Sequence, residues 1–302
     1  MNLPAGLDPD RYVRLVEMAR HEDLGTHGDV TTALLPEPHR TAQGRWELRA
    51  RAAGRFCGVE LLDALLEQLA PETRISEWLV DHDGAAVQPG AVIVRLSGLV
   101  VQMLAAERTV LNFLQRLSGV ATLTHRYVDA VRGTHAKIYD TRKTLPGWRD
   151  LDRYAVRAGG GHNHRRGLYD AVLIKDNHLS GVPLPRLAHA VFDMLNRMQS
   201  LPAAPRFVEV EAASAAEAQE LFKVIGLDVI MLDNFSPDEL RQAVALRDRQ
   251  GLRGKVELEA SGGITLENVA EYAQTGVERI AVGAITHSAV ALDMGLDAVE
   301  GG

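Results

Sequence analysis

The chain has 302 residues, 46% of them hydrophobic, enough for one large domain or two ordinary ones. A formal net charge of −7 argues against a surface built for nucleic acid or an anionic membrane. The single cysteine, Cys57, excludes an internal disulfide and a cysteine-rich metal site, and fits a reducing, cytoplasmic setting. The N-terminal stretch carries acids early and lacks an apolar secretion core. No apolar run approaches ~20 residues, so no membrane span is expected.

Asp8-Pro9-Asp10 reads as a helix start, and Tyr12, Leu15, Val16 and Met18-Ala19 continue it as an apolar stripe. The polar, glycine-bearing stretch 22–32 reads as a loop. Strand-like runs follow at 44–52, 74–81 and 92–96, with Asp83-Gly84 and Pro89-Gly90 as turns, giving a small and mostly antiparallel sheet. The hairpin at 83–98 is similar to that of lipoyl-type carriers but has no modifiable lysine at its turn. A helix is expected over 101–118, with Met103, Ala106, Val110, Phe113, Leu114 and Leu117 as its buried stripe and Gly119 as its cap.

Beyond Gly119 the pattern changes to short apolar runs separated by helical stretches: 136–139, 171–174, 207–210, 229–232, 256–259 and 279–282. Apolar strands without polar alternation suit a parallel sheet covered on both faces. Nearly every run ends in a charge or a glycine, as the C-terminal rim of an α/β barrel requires. The expected fold is α/β: an N-terminal α/β sandwich domain (1–118, with the tail 288–302 packed on it) and an incomplete, six- to seven-stranded parallel α/β barrel (119–287).

The rim residues carry the chemistry. Arg142 and Lys143 follow the first run, Lys175 follows the second, and His164 and Arg165 lie in the glycine-rich loop between them. Five cations at one rim would repel one another unless an anion compensates them, and Arg forks grip carboxylate or phosphate in pairs. The later strands end in acids. Alternation puts Glu209 and Glu211 on one side of a strand, and Asp233 ends the next. Carboxylates beside cations suit Mg²⁺ or sugar hydroxyls, although Asp233 could equally cap a helix. Ser261-Gly262-Gly263 and Gly283 would leave backbone N–H groups open to a phosphate.

These residues lie in stretches that resemble, in order and through almost the whole chain, the quinolinate phosphoribosyltransferase family. The matching stretches are EDLGTHGDVTT (22–32), ERTVLNFLQRLSGVAT (107–122), DTRKTLPGWR (140–149), GGGHNHRRGLYDAVLIKDNH (159–178), VEVE (208–211), IMLDNF (230–235), LEASGGI (258–264) and AVGAITH (281–287). The resemblance implies transfer of phosphoribosyl from phosphoribosyl pyrophosphate to quinolinate, with loss of CO₂ and a requirement for Mg²⁺. It implies that Thr141, Arg142, His164, Arg165 and Lys175 bind quinolinate, joined by Arg108 from the second subunit of a homodimer. It assigns Lys143, Glu211 and Asp233 to catalysis, phosphoribosyl pyrophosphate and its metal, and Ser261, Gly262, Gly263, Gly283 and His287 to the 5-phosphate side. Two alternatives stand beside it: a paralogue acting on another ring acid, and an inactive binding homologue.

Overall fold

The computed structural model describes residues 3–299. In chain order the elements are α1 (Pro9–Leu24), α2 (Glu37–Arg40), β1 (Gln43–Ala50), β2 (Gly54–Arg55), α3 (Leu62–Leu69), β3 (Arg74–Trp78), β4 (Ala86–Val87), β5 (Val92–Leu99) and α4 (Val100–Ala130). The second half alternates: β6 (Lys137–Tyr139), α5 (Arg149–Ala158), β7 (Val172–Ile174), α6 (Leu187–Asn196), β8 (Val208–Ala212), α7 (Ala215–Leu221), β9 (Val229–Asp233), α8 (Pro237–Arg249), β10 (Glu257–Ser261), α9 (Val269–Ala273), β11 (Arg279–Ala281), α10 (Ala284–His287) and β12 (Met294–Ala298). The chain forms two compact units. One comprises residues up to His125, Thr144–Gly160 and the chain from Ile285; the other comprises Arg126–Lys143 and Gly161–Ala284. The ends of the sequence-read domain ranges, residues 1–2 and 300–302, lie outside the described residues.

In the first unit, Asp8 caps α1 by accepting from the N–H groups of Asp10 and Arg11 at 3.1 and 3.3 Å. The helix takes in Glu22, Asp23 and Leu24 before Gly25, at φ +50°, ends it, so the loop starts three residues later than the sequence suggested. The antiparallel sheet has the order β12-β1-β5-β3. Trp46 faces Leu96 and Leu48 faces Val94 across β1 and β5, and all four are buried. Leu62, Leu65 and Leu66 of α3 are buried too. Each such side chain contributes roughly 1.5–3 kcal/mol on leaving water.

Helix α4 buries Met103, Ala106, Val110, Phe113, Leu114 and Leu117, the expected stripe, but does not stop at Gly119. A Cβ there would sit 2.1 Å from the Val290 carbonyl oxygen and 3.0 Å from Ala291 Cα. The glycine therefore allows close backbone approach inside a continuous helix; it is not a cap.

The second unit holds six parallel strands in the order β6-β11-β10-β9-β8-β7. The first two in sequence, β6 and β7, are the two edges, which is the arrangement of an incomplete barrel. Each expected strand is present within one or two residues of its sequence-read bounds. The register places Glu211, Met231, Glu259 and Arg279 side by side on one face, through the pairs Glu211↔Met231, Glu259↔Met231 and Glu259↔Arg279. Alternation puts Glu209 on that face as well. Helix α8 is capped by Ser236 and Glu239 in a reciprocal capping box, with Pro237 in its first turn. Asp233 is thus not needed as the N-cap.

Candidate active site

A cavity of about 470 Å³ opens at the C-terminal ends of the parallel strands. Thr141, Arg142 and Lys143 enter it after β6, and Lys175 after β7. Asp233 ends β9, and Ser261, Gly262 and Gly263 follow from β10. The wall is completed by His164, Arg165, Asn234 and Glu259, with the apolar Leu173, Met231 and Ala281. Placement at strand ends follows from the βα alternation: short loops there project side chains inward over the core.

The loop carrying His164 and Arg165 is folded back onto β6. His162 N–H donates to the Ile138 carbonyl at 2.8 Å, and Asp140 N–H donates to the His162 carbonyl at 3.0 Å. The buried Asp140 carboxylate accepts from His164 N–H at 2.7 Å and from the Asn163 amide at 2.6 Å. Asp170 closes the other side, accepting from Arg166 and Gly167 N–H at 2.9 Å each and from Arg206 at 3.2 Å. Burial opposes ionisation of Asp170, but these donors prevail and hold its pKa below the usual carboxylate value.

Arg165 is buried, whereas Arg142 and Lys143 are exposed at the mouth. Burial, and then the positive charge of Arg142, push the Arg165 pKa down. Two cations raising each other's energy form a site that gains by taking an anion. Lys175 Nζ donates to Glu211 Oε2 at 2.6 Å, which brings Glu211 to the cavity margin. Four cations (Arg142, Lys143, Arg165, Lys175) thus face three carboxylates: Asp233 and the buried Glu259 in the lining, and Glu211 through Lys175.

At the opposite wall, Gly262 has φ +93°, and a Cβ there would lie 2.1 Å from Asn234 Oδ1. Asn234 itself has φ +57° and donates its N–H to the Ser261 carbonyl at 2.8 Å. Gly263, at φ +62°, meets nothing within 4 Å. This double turn leaves a side-chain-free strip beside the cavity, suited to a phosphate held by backbone N–H groups.

Beneath the cations lies a buried charged cluster. His164 Nε2 is 2.8 Å from Glu209 Oε2 and 3.4 Å from Glu259 Oε1. Arg279 Nε donates to Glu259 Oε2 at 2.7 Å, and the guanidinium stacks 4.0 Å from the Tyr139 ring centroid and 5.3 Å from that of Phe207. Burial and the neighbouring Glu259 raise the Glu209 pKa, while His164 and Arg279 overcome burial at Glu259 and lower its pKa. Burial lowers the His164 pKa, its acidic neighbours raise it, and the net direction is upward.

Two sets of residues present metal-type donors. Glu211 and Asp233 offer hard oxygen donors at the cavity margin, the kind Mg²⁺ takes singly or in pairs while keeping waters and substrate oxygens. His164, Glu209 and Glu259 also converge, with donor atoms within 4.8 Å of one another. A cation in that second group would face the Arg279 guanidinium, which already supplies its countercharge.

Of the residues expected from sequence, Thr141, Arg142, Lys143, His164, Arg165, Lys175, Asp233, Ser261, Gly262 and Gly263 line one cavity, with Glu211 joined through Lys175. Gly283 is half-buried and is not among the lining residues. Arg108 and His287 are exposed residues of the first unit. Sequence reading assigned no role to Asp140, Glu259 or Arg279. For Glu259 and Arg279 the available signal was a charge in an otherwise apolar strand, as in LEAS and RIAV; Asp140 follows the end of β6.

An incomplete parallel barrel whose strand ends enclose a cationic, glycine-rimmed cavity defines a barrel enzyme for a small polyanionic substrate. Residues 29–118 match the quinolinate phosphoribosyl transferase N-terminal domain, and residues 120–297 match the C-terminal domain of the same name. The nicotinate-nucleotide pyrophosphorylase (carboxylating) of Mycobacterium leprae is 41% identical over 283 residues, covering 93% of this chain and 95% of its own. A probable enzyme of the same name from Bacillus subtilis is 37% identical over 290 residues, covering 95% and 94%. The structure of the Francisella tularensis nicotinate-nucleotide pyrophosphorylase superposes with a TM-score of 0.85 at 36% identity, covering 99% of this chain and all of that one. The chain belongs to the quinolinate phosphoribosyltransferase family.

Proposed function

We propose that this protein transfers the phosphoribosyl group of phosphoribosyl pyrophosphate to quinolinate, with decarboxylation, in the biosynthesis of NAD. The observation that carries the reading is the four-cation cavity facing a glycine strip: a seat for two adjacent carboxylates opposite a seat for a phosphate.

Quinolinate lies with its carboxylates against Arg165, Arg142 and Lys175, near Thr141, and with His164 beneath. The 5-phosphate takes the N–H groups of Ser261, Gly262 and Gly263, with Gly283 and His287 assigned to the same end by family resemblance. Lys143 faces the pyrophosphate, and Glu211 and Asp233 lie beside the ribose. The pyridine nitrogen forms a bond to the ribose anomeric carbon as the bond to pyrophosphate breaks. Lys143 offsets the charge that leaves, and Glu211 or Asp233 steadies the positive charge that builds on the ribose. The ring is then a pyridinium. Loss of CO₂ leaves an electron pair on the ring carbon beside N⁺, and a proton takes its place, giving nicotinate mononucleotide. Mg²⁺ held by Glu211 and Asp233, directly or through water, would neutralise pyrophosphate oxygens.

We also place Arg108 in the acid seat of a second copy of the chain, in a homodimer with shared sites. Its exposed position on α4 supports this. The catalytic domain is taken as 119–287 and the other as 1–118 with the tail from 288, supported by the family match that begins at 120. Among the described residues no helix is long and apolar enough to cross a membrane. A cytoplasmic location is proposed from the single buried cysteine. The direct test is nicotinate mononucleotide formation from quinolinate, phosphoribosyl pyrophosphate and Mg²⁺, with EDTA as control. Formation that EDTA abolishes is expected; no product would overturn the assignment.

A further inference from the structure

We infer that Glu209 and Glu259 are positioning residues for the quinolinate seat: they hold the His164 ring from below, and His164 in turn fixes the backbone of Arg165. The inference rests on the function proposed above and deepens it.

Both ring nitrogens of His164, a residue of the cavity wall, stand against protein groups. Its Nε2 faces Glu209 at 2.8 Å and Glu259 at 3.4 Å. Its Nδ1 accepts from the Arg165 N–H at 2.8 Å. That N–H directed at Nδ1 works against the acids' upward pull on the ring's pKa, and Nε2 is the ring nitrogen whose proton faces the acids. The ring stands edge-on to Phe207, with centroids 5.3 Å apart at 89°, and to Tyr139, 6.5 Å apart at 83°. Its own N–H is held by Asp140 at 2.7 Å. A residue held on so many sides is a strut. The group it delivers is the Arg165 guanidinium, buried in the cavity wall.

Two buried carboxylates under a cationic cavity would be costly as mere filling, because burying a charge is unfavourable unless it is paired. Arg279 answers Glu259 and is itself braced by Tyr139 and Phe207. Glu209 has no such hydrogen-bonded partner: neither of its carboxylate oxygens makes a hydrogen bond among the described residues, and its close contact is the 2.8 Å ion pair with His164 Nε2, with the charge of Arg279 acting from farther off. A buried acid whose nearest polar neighbour is one imidazole edge is accounted for if that edge must be held. Glu209 is also the cleaner probe, because Glu259 lines the cavity and is bonded to Arg279 as well, whereas Glu209 is not among the lining residues.

The test compares Glu209→Ala, Glu209→Gln, His164→Ala and His164→Asn with wild type, measuring KM separately for quinolinate and phosphoribosyl pyrophosphate. Glu209→Ala and His164→Ala are each expected to raise the quinolinate KM about tenfold or more, with the other KM within about threefold. The double variant should be no worse than His164→Ala alone, since both act through one strut. Glu209→Gln keeps an acceptor for Nε2–H, and His164→Asn keeps one for the Arg165 N–H, so each should recover part of the loss. An unchanged quinolinate KM in Glu209→Ala, a parallel rise in both KM values, or multiplying losses in the double variant would overturn the inference. Failure of both Glu209 variants to fold would also overturn it, by showing that the acid serves stability alone. A wild type without CO₂ release refutes the functional reading; a competent wild type matched by Glu209→Ala refutes only the inference.

Discussion

Arg165 and Arg142 were equivalent as letters in the sequence, and the fold separates them. Arg165 is buried in the wall and Arg142 is exposed at the mouth. Removing a buried charge partner costs about 2–5 kcal/mol, whereas an exposed one is worth about 0–1 kcal/mol. Arg165→Ala should therefore raise the quinolinate KM far more than Arg142→Ala, as steady-state kinetics will read; equal effects would place Arg142 deeper in the complex. At the other end of the cavity, Gly262→Ala adds a methyl 2.1 Å from Asn234 Oδ1 at φ +93°. The strain, about 1–3 kcal/mol, falls on the phosphate strip. We expect the KM for phosphoribosyl pyrophosphate to rise while quinolinate protection against thermal unfolding persists. Sequence identified most of the residues that line the cavity, because charges at the ends of apolar runs stand out. It assigned no role to Glu259 or Arg279, because a charge within a strand is explained only by a partner on another strand, nor to Asp140, whose partners Asn163 and His164 lie in a loop more than twenty residues on.

Among the elements, the parallel strands were legible because strands covered on both faces are continuous apolar runs. Helix α4 was misread at Gly119, since a glycine after an apolar stripe normally ends a helix. Its reason is tertiary: the Val290 carbonyl needs the space. Gly119→Ala would gain about 1 kcal/mol of helix propensity but lose about 1–3 kcal/mol to the clash with backbone that cannot rotate away. The Tm should fall by several degrees in a thermal melt; an unchanged or higher Tm would show that the helix can shift. Strand β12 was also unread, because five residues at the end of the chain make a strand only when β1 is there to pair with them. The 166–170 loop adds a pH dependence. The Asp170 pKa is depressed, so its stabilisation is complete above the unfolded carboxylate value of about 3.9 and is lost as pH falls through the lower folded value. Thermal melts of wild type and Asp170→Asn should differ at pH 7 and converge as the pH drops through that window.

For the whole molecule, the fold class, the family and the cavity agree, and the proposed sharing of a site between two copies is the part that one chain cannot test. Mixing inactive Arg108→Ala with inactive Glu211→Ala protein, under demonstrated subunit exchange, should restore some activity, because one site in each mixed dimer is intact. No recovery would leave Arg108 outside the acid seat. The central claim is that this cavity reads two adjacent carboxylates and discards one of them. It is tested most directly by giving the enzyme phosphoribosyl pyrophosphate and Mg²⁺ with either quinolinate or nicotinate, and measuring mononucleotide and CO₂ together. We predict one CO₂ per mononucleotide from quinolinate, with kcat/KM for nicotinate lower by at least about 100-fold, because a single carboxylate leaves part of the cation set, which includes the buried Arg165, uncompensated. Comparable turnover of nicotinate, or mononucleotide from quinolinate without matching CO₂, would contradict the account.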